Sequence, residues 1–302
     1  GGGAIENLLA EATPCASHFD PGRFADGLFL EELAKKTFPV QALGQRHAFD
    51  ASYLVRTLAH PPRAASDVAF RRAILDELAR DPGRRTELER TYVELRALRD
   101  LLTTPVHGSY IEQHQHRVAT LRALRDVIVG LASRFDASTT GLARLRAFGE
   151  TLAEMPAYRE LSGLLDYEDG LAIVDLRLRV GSDGSVRGFT MVEAREARES
   201  PFYRTPFGRF FTRFVIWLRG YRFGEIELLA RAVDQVFSPY EQRVVELLQL
   251  SADLEVYLGC LGFRDLALER GLSVCLPELA REGKRAYHGL FNPLLLQGRA
   301  QP

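Results

Sequence analysis

"LAIVDLRLRVGSDGSVRGFTMVEARE", Leu171 to Glu196, is where the period of this chain changes. Val174, Leu176, Leu178 and Val180 alternate with Asp175, Arg177 and Arg179, the period of two that a half-buried strand requires. Gly181-Ser182-Asp183-Gly184 supplies turn residues, and a second run of strand formers follows. The stretch predicts an antiparallel β-hairpin, Val174–Val180 against Val186–Val192.

On both sides the pattern is helical. Upstream, Asp50 is placed to cap Ala51–Ala59, which His60-Pro61-Pro62 stops. Asp67 is expected to cap a helix whose stripe is Val68, Ile74, Leu75 and Leu78. Past Asp81-Pro82-Gly83, Leu88, Val93, Leu95, Leu98 and Leu101 mark one helix. Val118, Leu121, Leu124, Ile128 and Leu131 mark a longer one over Tyr110–Phe135, and a third is expected from Ser138 to near Pro156. The first forty residues, with Pro14, Pro21 and Pro39, read as irregular apart from a helix at Leu28–Lys36. Downstream, Glu225–Phe237 and Pro239–Gly271 return to long helices.

Directly after the hairpin comes "SPFYRTPFGRFFTRFVIWLRGYRF", Ser200–Phe223. Thr205-Pro206 is a good helix start. Phe207, Phe210, Phe211, Phe214, Trp217 or Leu218 and Tyr221 then recur at three- and four-residue steps, with Arg209 and Arg213 one turn apart on another face. Three readings stand side by side. The rings pack on neighbouring helices beneath arginine stems, the arginines meet nucleic-acid phosphate, or the helix lies on a membrane surface. The first predicts buried Phe210, Phe214 and Trp217 or Leu218 beside accessible Arg209 and Arg213, and the second can hold with it. Candidate nucleic-acid contacts are Arg177, Arg179, Arg209 and Arg213; Glu196 and Glu199 dilute that patch.

With 302 residues, 46% hydrophobic and 26% charged, the chain has material for a substantial core and is not of disordered composition. A net charge of −1 gives no global attraction to polyanions, so any such site is local. Basic charge is nearly all arginine, with lysine at Lys35, Lys36 and Lys284 alone, as GC-rich coding produces. Cys15, Cys260 and Cys275 lack disulfide or zinc spacing and fit a reducing compartment. With no signal peptide and no membrane-spanning apolar run, a cytoplasmic protein is expected. Gly1-Gly2-Gly3 carries no fold signal.

No phosphate loop, dinucleotide fingerprint, nucleophile elbow or HExxH motif occurs, so no catalytic residue, cofactor or metal is assigned. His107, His114 and His116 cluster, but residues two apart on a helix diverge by about 200°, so these read as surface histidines. Phe148-Gly149-Glu150 and Phe223-Gly224-Glu225 match the Phe-x-Glu pattern that mismatch-repair proteins stack on a mispaired base. Both lie in helical contexts and are set aside as chance matches.

The order of elements resembles the MutS family of DNA mismatch repair proteins. Leu54, Leu58, Pro62, Arg71 or Arg72, Ala73, Glu77 and Leu78 are similar to the entry into that family's core and lever region. Ser138–Leu152 resembles a further core helix, and Leu250–Leu279 the returning lever helix. Tyr287–Leu296 falls where the family links into its ATPase, with Asn292 in place of the usual histidine. The likeness spans Phe49 to Leu296, without a stretch matching the mismatch-reading domain or the ATPase.

The expected fold is therefore mainly α, an elongated antiparallel helix bundle of the MutS core/lever kind with an inserted β-hairpin. Four segments are expected. They are an irregular 1–48, a first core/lever half over 49–165, the hairpin with the aromatic-arginine helix over 166–225, and returning lever helices over 226–302. The resemblance implies a module that couples a C-terminal ATPase domain of the same protein to DNA, as a homodimer in full-length form. The chain alone is expected to be no enzyme, with no nucleotide affinity and no membrane role. A helical protein-interaction scaffold is the alternative.

Overall fold

The computed structural model describes residues 8–9, 20–62, 64–106, 109–168, 172–180, 186–196, 236–278 and 286–297. They are mainly helical. In order they form α1 (Pro21–Gly27), α2 (Leu30–Thr37), β1 (Val40–Ala42), β2 (Gln45–His47), α3 (Ala51–Ala59), α4 (Ala65–Arg80) and α5 (Pro82–Thr103). Then follow α6 (Tyr110–Ser133), α7 (Ala143–Glu154), α8 (Pro156–Glu168), β3 (Ala172–Val180), β4 (Val186–Glu196) and α9 (Glu241–Glu269). Two compact units result: one from residues 1–96, 130–149 and 245–302, the other from 97–129 and 150–244.

In the first unit the helix ends are chemically explicit. Asp50 accepts the Ser52 amide at 2.9 Å and caps α3 as expected. Asp67 does not cap α4. That helix begins three residues earlier than expected, behind Ala64, and Asp67 is buried in its first turn, where a carboxylate complements the helix dipole. Asp81 closes α4 and opens α5, accepting the Gly83 and Arg84 amides at 2.8 and 3.1 Å. Arg84 binds Glu87 at 2.6 Å and lies 3.5 Å from Asp136, holding the start of α5 to the end of α6.

Residues 21–47 are not irregular: they hold α1, α2 and a β1–β2 hairpin. Pro21 starts a helix instead of breaking one. The two-residue hairpin loop is Leu43-Gly44, both at positive φ (50° and 76°), as a primed turn needs. Leucine is a poor residue for that conformation. The turn is held from outside, because the Leu43 amide donates to Glu89 of α5 at 2.8 Å. Glu89 in turn accepts from Arg85, which binds Asp265 of α9 at 2.7 Å.

α7 starts at Ala143, five residues beyond the expected Ser138. The Ser138 and Thr140 hydroxyls bond Glu77 at 3.0 and 2.5 Å, so Ser138 serves a turn against α4 instead of capping a helix. Phe148-Gly149-Glu150 lies within α7. A Cβ on Gly149 would fall closer than 3.0 Å to the backbone of Ala132 in α6. The glycine is thus accounted for by close helix approach.

In the second unit, Ser109 and Glu112 form a reciprocal capping box at the start of α6, with the Ser109 amide donating to Glu112 at 2.6 Å. Val118, Leu121, Leu124 and Ile128 are buried as their spacing predicts. α7 ends at Glu154, near Pro156 as expected, and Pro156 is the first residue of α8, a helix that the sequence reading did not assign. Leu161, Leu164 and Leu165 of α8 are buried, as is Tyr240 ahead of α9.

Candidate functional site

β3 and β4 pair antiparallel, from Ala172 opposite Glu196 to Val180 opposite Val186. The expected hairpin is present and longer than its spacing suggested. Its register shifts twice, between Asp175 and Leu176 and between Arg179 and Val180. Each shift leaves one residue of β4, Val192 and Arg187, without a partner position on β3.

These bulges explain how an imperfect sequence pairs with a regular one. Held at the register of its open end, β4 would set Val192, Thr190 and Gly188 opposite Leu176, Leu178 and Val180. The two extra residues bring Met191, Phe189 and Val186 to those positions instead. Apolar residues thus stand at register positions opposite apolar residues along one period-two set. Arg177 and Arg179 occupy the other set, opposite Thr190 and Gly188, with Asp175 opposite Glu193.

Two of the four candidate nucleic-acid contacts are therefore on neighbouring like positions of one strand. The other two, Arg209 and Arg213, lie outside the described residues, as does the whole of Ser200–Phe223 with its expected buried rings.

A second polar constellation surrounds α9 in the first unit, and the sequence reading missed it. The Tyr53 hydroxyl donates to Asp253 at 2.5 Å, and Gln249 Nε2 donates to the Tyr53 oxygen at 2.6 Å. Tyr92 donates to Glu255 at 3.1 Å, and Tyr257 to the Leu9 carbonyl at 2.8 Å. Asp253 and Glu255 are both buried. The available signal was "SADLEVYLGC", Ser251 to Cys260, where acids interrupt a helix that is apolar around most of its girth.

Burial raises the Asp253 carboxyl above the usual aspartate range, against the lowering effect of the Tyr53 and Gln249 bonds and of Arg71. The folded state therefore holds a proton that the unfolded chain has released. Stability must fall as pH rises from the unfolded pKa to the folded one, and the full penalty persists above it. Asp253→Asn keeps the acceptor and removes the charge. Its stability relative to the native protein is expected to grow as pH rises, read by urea unfolding across about pH 4 to 7. A pH-independent difference would contradict this electrostatic account.

Burial pushes the Cys260 thiol up to about 11, so it is a poor nucleophile at neutral pH. Among the described residues no group of three metal-ligating side chains converges. His116 Nε2 is bonded to the Leu101 carbonyl at 2.8 Å. Both His114 and His116 are half-buried, not the surface histidines expected; His107 lies outside the described residues. No described helix is long and apolar enough to cross a membrane.

Compared with known proteins, the chain matches no family model, no curated protein and no solved structure.

Proposed function

We propose that this chain is the core and lever part of a MutS-like DNA repair ATPase, an elongated antiparallel helix bundle that couples nucleotide state to the grip on DNA. The supporting observation is the single helix α9, 29 residues long, which includes Leu250–Glu269 of the segment that resembles the family's returning lever. At about 1.5 Å per residue it extends roughly 43 Å. Packed helices move as units, so such an element can carry a displacement from one end to the other. The β3–β4 hairpin, upstream of it, supplies the compact DNA-facing element in this reading. Its partners are DNA and the ATPase domain of the same protein, in a cytoplasmic homodimer. The chain by itself hydrolyses no ATP.

The test is a salt titration of binding to branched and linear duplexes. The native chain is compared with a quadruple Arg177→Gln, Arg179→Gln, Arg209→Gln, Arg213→Gln variant. Each phosphate contact adds about 0.9 to the slope of log affinity against log salt on duplex DNA. The native protein is expected to weaken steeply with salt, and the variant to lose up to about 3 to 4 of that slope. Equal affinities, or binding indifferent to salt, would favour a protein-interaction scaffold instead.

A further inference from the structure

Away from the hairpin, the first unit contains a cleft of about 730 Å³ walled by α1, α2, β2 and α3. That is the size of an ordinary small-molecule site. Ala25, Phe49, Val55 and Ala59 provide apolar wall, and Arg46 and Arg56 join it as cations.

The charges around it do not balance locally. Glu31 is neutralised by Lys35, one helical turn away at 2.5 Å. Asp50 is engaged as the α3 cap, accepting the Ser52 amide. Neither Arg46 nor Arg56 has a carboxylate partner among the described residues. Arg56 lies over the Tyr53 ring, 5.0 Å from its centroid, a contact that positions the guanidinium without neutralising it. His47, also lining the cleft, stands edge-on to Tyr92 at 5.5 Å and has a buried Nε2 without a hydrogen-bond partner.

We propose that this cleft binds a small organic anion, a carboxylate carried on a flat apolar body. The two guanidiniums would take the carboxylate, since paired N–H donors match its two oxygens. Phe49, Val55 and the alanines would cover the body. The apolar walls disfavour a bare phosphate or a stretch of nucleic-acid backbone, which need a polar or basic lining throughout. The inference is independent of the DNA reading.

The probe is 2-naphthoate, followed by its own fluorescence, against the neutral 2-naphthylmethanol of similar shape. Saturable one-to-one binding of the carboxylate is expected at about 10 μM to 1 mM, a realistic range for so few atoms. The alcohol should bind at least about tenfold more weakly, and Arg46→Gln with Arg56→Gln should weaken the carboxylate by a similar factor. Ala25→Phe, which adds a ring at the apolar wall of the cleft and leaves both arginines in the sequence, should abolish binding of both probes. Lys36→Gln should change nothing, because Lys36 is paired with Glu32 and does not line the cleft. Circular dichroism establishes that each variant is folded. Equal affinity for alcohol and carboxylate, an unaffected double variant, or no saturation by 1 mM would overturn the proposal.

Discussion

Gly262→Ala is expected to destabilise the protein by about 2–4 kcal/mol, although alanine is the better helix former. Inside an exposed helix the exchange would stabilise by about 1 kcal/mol. Here a Cβ would fall closer than 3.0 Å to the Pro39 carbonyl oxygen, a backbone atom that cannot rotate away. Pro39 is fixed on both sides. Phe38 stacks on Phe263 of α9 with centroids 5.1 Å apart, and Val40 is fully buried in β1. Relief would require moving α9 away from the β1–β2 hairpin, which loosens close packing and costs about 1–3 kcal/mol or more. Gly149→Ala, against the Ala132 backbone, should behave similarly. Gly27→Ala is the control, since nothing lies within 4 Å of its added methyl. Urea unfolding midpoints decide the matter: Gly262→Ala at or above native stability would refute this account.

The same glycines show why some of the fold was legible in the sequence and some was not. The stripe Val118, Leu121, Leu124, Ile128 is a property of one helix, and its spacing alone placed those residues inside. The β3–β4 pairing was equally local, because strict alternation and the turn-favouring sequence Gly-Ser-Asp-Gly lie within a few residues of each other. Leu43-Gly44 was missed because only Gly44 favours positive φ, whereas Leu43 is held there from Glu89, 46 residues away. Ser138 was misread because a hydroxyl ahead of a helix can cap it or bond elsewhere, and only the approach of Glu77 decides. The buried acids of α9 and the cleft beside α3 likewise exist only once separate elements meet. Arg177 and Arg179 could be placed on one strand from alternation, whereas the bulges at Arg187 and Val192 needed the partner strand.

Leu54→Ala is expected to cost about 3–5 kcal/mol, the upper part of the range for a leucine removed from a core. Leu54 is 1% exposed and packs in the cluster of Ala34, Phe38 and Ala51, with Leu33, Leu58 and Phe263 against it. Two of the three other buried residues of that cluster are alanines, whose side chains are too short to collapse into the vacated space. The cavity would therefore stay open, and its lining would lose contacts without replacement. Leu54→Met keeps most of the volume and should cost less than about 1.5 kcal/mol. Leu268→Ala, at a position 46% exposed, should change stability by about 1 kcal/mol or less. Because Leu54 anchors α3, the helix that carries Val55 and Arg56 of the cleft wall, its loss should also loosen that wall. A native-like unfolding midpoint for Leu54→Ala would mean that α2, α3 and α9 do not form the close-packed core on which that wall depends.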